Sequence, residues 1–117
     1  MATRCHIAYE TNSGSFRGCY THWDGYPTGV LARALQVIEH YGWDAFKAII
    51  ERGIAGDGIS DWDHESPIEK ININFIDRFD GISSGVAITS VEQMENGDTD
   101  YGYIVRKDGT TIIHEWD

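Results

Sequence analysis

Basic residues are scarce in this chain: nine Lys and Arg stand against nineteen Asp and Glu in 117 residues, a formal charge of −10. Nucleic-acid backbones are held chiefly by Lys and Arg neutralising phosphates, so the deficit argues against direct binding to DNA or RNA. The carboxylate surplus fits either plain solubility or a surface that competes for a basic, nucleic-acid-binding partner. Cysteine is also scarce, with Cys5 and Cys19 too few for a disulfide framework. No apolar run approaches the ~20 residues of a membrane-spanning helix, and the first residues lack a signal peptide's apolar stretch. These absences predict a cytoplasmic protein that does not engage a membrane.

Motifs of chemistry are missing as well. There is no C-x-x-C or H-x-x-x-H pair to seed a zinc site. Gly53-x-x-Gly56-x-Gly58 lacks the Lys and Ser or Thr of a phosphate-binding loop. Counted from Asp57, an EF-hand would need a ligand at Ile59 and a glycine at Trp62. No cofactor, metal or catalytic residue is therefore expected. Repeats, low-complexity tracts and linkers are absent too, so residues 1–117 read as a single domain. A 41% apolar and 12% aromatic content suffices for its core.

Residues 4–11 and 16–23 alternate as two strands around Asn12-Ser13-Gly14-Ser15. A two-residue Ser13-Gly14 loop would set Glu10 opposite Arg17 and Cys5 opposite His22. Pro27 suits the first turn of a helix, with Thr28 a nearby cap; Leu31, Ala34, Leu35, Ile38 and Tyr41 follow at helical spacing, and Gly42 ends it. A second helix is expected from a cap at Asp44 to Glu51 or Arg52, stopping at Gly53. Residues 55–67 form an acidic loop. The next segment, 68–79, fits strand or helix, because Ile71, Ile73 and Phe75 alternate while Ile68, Ile76 and Phe79 also suit a helix. Val86, Ile88 and Val91 suggest a strand. Tyr101–Lys107 and Thr110–Trp116 flank Asp108-Gly109 as a hairpin pairing Tyr103 with His114, Val105 with Ile112 and Tyr101 with Trp116. The fold class is α+β: a mostly antiparallel sheet of the N-terminal hairpin and C-terminal strands, with two helices packed on one face.

The densest feature is the junction Tyr20-Thr21-His22-Trp23-Asp24-Gly25-Tyr26-Pro27-Thr28-Gly29-Val30, where strand gives way to turn and then helix. It resembles a loose group of small proteins of phages and mobile elements that share a Y-x-H-W-D-G-Y-P-x-G-V run. Tyr101–Val105 and the Asp108-Gly109 turn resemble that group's closing element. The resemblance covers residues 3–42 and 100–116 and implies a viral or prophage origin. Small acidic phage proteins often block host machinery, so it implies an anti-CRISPR-like, counter-defence inhibitor working inside the host cytoplasm.

Two surfaces compete for that role. The acidic loop offers Asp57, Asp61, Asp63, Glu65 and Glu69 to a basic partner, with Trp62 as aromatic anchor and a further acidic run at Glu92, Glu95, Asp98 and Asp100. The expected partner is a host defence protein whose basic nucleic-acid-binding site is occluded without turnover. The alternative is a sponge for a cyclic nucleotide signal: Tyr20, His22, Trp23, Asp24 and Tyr26 would surround a base, and Arg33 or Arg17 would meet its phosphate. A third class, a small metal-dependent or histidine-based hydrolase, would use His22 or His114. Tyr101, Tyr103 and Trp116 on the sheet leave room for a homodimer.

Overall fold

The computed structural model describes residues 3–12, 14–56, 58–60, 62–63, 65–71 and 82–116. Asp57, Asp61 and most of the segment 68–79 left open between strand and helix lie outside the described residues. The described part is α+β, with a four-stranded sheet ordered β2-β1-β3-β4.

The first hairpin joins β1 (Cys5–Asn12) to β2 (Ser15–Thr21). Asn12 faces Ser15 beside Gly14 at φ +83, but the register shifts between Glu10 and Asn12. Beyond that bulge Glu10 pairs with Phe16, Tyr9 with Arg17 and Cys5 with Thr21. The expected Glu10–Arg17 and Cys5–His22 pairs are therefore displaced by one residue. A one-residue slip exchanges the faces of a strand. It sends Arg17, Cys19 and Thr21 to the side of Cys5, Ile7 and Tyr9, and it removes the geometry on which a Cys5–His22–Asp24 metal corner would rest.

The last hairpin, β3 (Tyr101–Val105) with β4 (Thr111–Glu115), differs from expectation in the same way. Arg106 N donates to Thr110 O and Gly109 N to Arg106 O, with Gly109 at φ +92. The turn thus holds three residues instead of two. Tyr103 pairs with Ile113, Val105 with Thr111 and Tyr101 with Glu115. Between the hairpins β1 and β3 run parallel, Ile7 beside Tyr103, so the sheet is mixed although mostly antiparallel.

Pro27 opens a π-helical turn, Pro27–Leu31, that leads directly into α1 (Ala32–Tyr41). Gly42 ends α1 at φ +101, a conformation suited to glycine, and caps α2 (Trp43–Ala55). Asp44 is in the first turn of α2, where its charge favours the helix dipole, and not at the cap. Gly53 does not stop this helix. A Cβ there would lie 2.6 Å from Cys19 Sγ, so glycine lets α2 approach β2.

Both helices pack on one face around Ile7, Val37, Phe46, Ile50, Trp62 and Tyr103. A third helix, α3 (Val91–Asn96), covers the other face through Met94 against Ala8 and Ile104. Val91 therefore begins a helix, and Ile88 makes an isolated bridge to Gly18 in place of the expected strand. No helix among the described residues is long and apolar enough to cross a membrane.

One buried carboxylate connects these layers. Glu51 of α2 is 1% exposed and accepts from Tyr9 Oη at 2.5 Å, Arg17 Nε at 2.8 Å, Arg17 Nη2 at 2.9 Å and the Ser83 amide at 2.7 Å. Burial raises its pKa, but the hydrogen bonds from Arg17, Tyr9 and Ser83 outweigh that and hold it below the ordinary carboxylate value. The same environment, burial first and Glu51 second, pushes the Tyr9 phenol up to about 12.

Because the folded pKa is depressed, this stabilisation is complete above the ordinary Glu value near 4.3 and is lost as pH falls through the folded value. Glu51→Gln should cost about 3 kcal/mol at neutral pH, because it leaves Arg17 without its charge partner. Thermal melts from pH 7 to 3 should show the variant approaching wild type at the acid end. A constant difference across that range would count against the role given to Glu51.

Candidate functional site: the junction after the first hairpin

The glycines of the junction answer to backbone crowding. A Cβ on Gly25 would lie 2.8 Å from Thr3 O, and Gly25 N donates to that same oxygen. Gly25 O accepts from the buried Tyr103 hydroxyl at 2.6 Å, which ties the turn to β3. At Gly29 a Cβ would meet Asp24 O at 2.3 Å, because the π-helical turn folds back so that Val30 N reaches that carbonyl. Asp24 takes φ +57, a left-handed conformation that Asp tolerates better than most residues, and its Oδ1 accepts from Tyr26 Oη at 3.0 Å. Gly25, Gly29, Asp24 and Tyr26 form a structural clasp.

The remaining rings need a different account. Tyr20 Oη lies 2.7 Å from His22 Nδ1, and His22 meets Trp23 edge to face with centroids 4.9 Å apart. His6, buried beneath, touches Tyr20 at 5.9 Å, so a ladder of rings runs from the interior to Trp23. Trp23 is 48% exposed, and no packing requirement of the clasp accounts for it.

The acidic loop abuts this junction. Trp62 is 1% exposed, packs against Phe46 and donates from Nε1 to Thr21 Oγ1 at 3.2 Å. It is a core residue, so it cannot be the surface anchor expected of it. Arg33 is likewise interior, at 1% exposure. Its guanidinium donates to the carbonyls of Asp63 and Ser66 and to Gln36 Oε1, fastening the loop to α1. It does not join the aromatic rings as a phosphate ligand, and Arg17 is committed to Glu51. The stacking cluster therefore lacks both basic partners that a nucleotide sponge would require.

Asp63, at φ +47, accepts from Ser66 Oγ at 2.8 Å. The Tyr26 phenol is raised first by its hydrogen bond to Asp24, with the field of Glu65 contributing. Ser66 opens onto a groove of about 580 Å³ lined by Glu39 and His40 from the end of α1 and by Glu69 from the loop. Tyr41 Oη donates to Ile68 O at 2.9 Å and braces the far side. The acidic loop and the aromatic junction, two alternatives in the sequence, are bridged where Ile59 O accepts from His22 N and Trp62 donates to Thr21.

The second acidic run is divided. Glu92 and Glu95 stand on α3 over the opposite face, and Asp98 pairs with Arg4 at 3.2 Å. His114 stacks on Trp116 with centroids 5.3 Å apart. Burial pushes the Cys5 thiol up to about 12, partly offset by its hydrogen bond with Thr21. Among the described residues, no three His, Cys, Asp or Glu side chains converge to hold a metal. Comparisons with protein-family models, curated proteins and solved structures find no match.

If Trp23 serves recognition and not folding, Trp23→Ala should leave the melting temperature within about 2 °C of wild type, as exposed substitutions usually do. Asp24→Ala, by contrast, should cost about 1–2 kcal/mol through its left-handed backbone. Equal losses in denaturant titrations would show that Trp23 is part of the clasp.

Proposed function

We propose that this protein is a phage- or mobile-element-encoded counter-defence inhibitor that binds a host defence effector stoichiometrically. Its target is a basic nucleic-acid-binding site, occluded by the surface running from Trp23 through Glu65 to the Glu39–Glu69 groove. The single observation that supports this reading is the sorting of charge. Arg17 and Arg33 are committed to internal partners, Arg106 pairs with Glu10, and Lys47 lies over the Tyr9 ring. Glu39, Glu65 and Glu69 remain exposed, with Lys70 exposed next to Glu69, and Trp23 is exposed as well.

An aromatic side chain flanked by carboxylates is a suitable hot spot for an Arg- or Lys-rich surface. The ring supplies area and a cation–π face, and the acids steer encounter and reject nucleic acid. This role needs no turnover and no cofactor. Trp23 takes the place of Trp62 as the anchor.

The test is phage plating on bacteria that carry a defence system and express this protein, together with capture of effector subunits on the tagged chain. The wild type should restore plating and retain a basic subunit at one-to-one stoichiometry. Glu39→Lys/Glu65→Lys/Glu69→Lys, all exposed and so compatible with folding, should abolish both effects; Trp23→Ala should weaken capture by about 2 kcal/mol, roughly thirtyfold. Undiminished protection by the folded triple variant would refute the surface assignment.

A further inference from the structure

We propose that two copies of the chain associate through the outer edge of β4, as a two-fold antiparallel strand pair centred on Ile113. The two edges of the sheet are treated differently. Along β2, the outward backbone groups of Gly18 are taken by Ile88, and Ile59 bonds Tyr20 O and His22 N. That edge is closed by bridges.

Along β4, Thr110 O and Trp116 N bond to Arg106 N and Asp100 O, so the even-numbered positions face β3. Thr111, Ile113 and Glu115 therefore turn their N–H and C=O groups outward. Among the described residues nothing pairs with them. Natural edges are usually protected by proline, a bulge or charge; β4 has no proline, bulge or lysine along Thr111–Glu115, and its one charged side chain, Glu115, stands at the strand's end.

The occupant that fits is a second β4. Antiparallel self-pairing about Ile113 sets Thr111 opposite the other copy's Glu115 and Ile112 opposite its His114. Roughly six backbone hydrogen bonds result, two from each outward-facing pair. Ile113, 50% exposed, meets its own copy on the axis. Arg106 is engaged by Glu10 and Lys107 stands beside Asp108, so charge does not choose the partner; the edge's own geometry does, because antiparallel pairing about Ile113 matches each outward N–H with an outward C=O of the second copy. The resulting eight-stranded sheet would carry the two β2 strands at its far edges, about 34 Å apart at ordinary strand spacing. Two junction surfaces would then be displayed on one assembly.

Sedimentation velocity of the full chain over a concentration series, with amide hydrogen exchange by NMR, tests this. Wild type should pass from monomer to dimer, and the amides of Thr111, Ile113 and Glu115 should gain protection with concentration while those of Ile112 and His114 do not change. Ile113→Pro removes an N–H unused within the chain, and Ile113→Lys places two cations on the axis. Each should raise the dimer dissociation constant at least about tenfold, equivalent to about 1.4 kcal/mol. The pairing is overturned if wild type stays monomeric throughout, if the dimer survives both variants, or if the three outward amides are already protected in dilute monomer.

Discussion

The buried carboxylate of Glu51 is the constraint from which the rest follows. A charge withdrawn from water must be paired and hydrogen-bonded, and Glu51 meets that demand by drawing Tyr9 from β1, Arg17 from β2 and the Ser83 amide onto α2. Its geometry requires Tyr9 and Arg17 to project from the same face. Only the bulged register of the first hairpin provides that, since Tyr9 then pairs with Arg17. The bulge, the helix–sheet contact at Gly53 and the ion pair are thus mutually dependent.

This internal pairing also shapes the exterior. The chain has few cations, and the fold draws two of its arginines inward, one to Glu51 and one to the carbonyls beneath the acidic loop. Glu39, Glu65 and Glu69 are left exposed, with Lys70 beside Glu69. The contacts of Arg33 brace the acidic loop, and under the proposed function that bracing would lower the ordering cost of binding a basic partner.

The fold class, both hairpins and the first two helices were legible because hydrophobic period and turn residues report on local structure. Register was not. A two-residue and a three-residue turn differ by one backbone bond made after Asp108-Gly109, and composition does not distinguish them. Helix α3 was overlooked although Ser90 and Gln93 form a reciprocal cap, a readable signal that the apolar Val86, Ile88 and Val91 obscured. The candidate site was half legible. Trp23, Asp24 and Glu65 stood out in the sequence, but burial depends on tertiary contacts, so Trp62 and Arg33 looked like surface groups. Only the fold shows that the acidic loop is bridged to the aromatic junction through Ile59 and Trp62.

Self-association of so acidic a chain raises the question of repulsion, and the placement of charge answers it. Exposed charges separated by more than a Debye length, about 8 Å at physiological salt, are largely screened. The acidic loop joins the sheet on the β2 side, where Ile59 bridges Thr21, some three strand spacings, or about 14 Å, from β4. At β4 itself Glu115 is the strand's one charged side chain, and pairing about Ile113 sets it opposite the other copy's uncharged Thr111. Repulsion at one edge and backbone pairing at the other can therefore coexist, because the sheet's width separates them. The acids of the loop need not prevent a second copy from joining at β4.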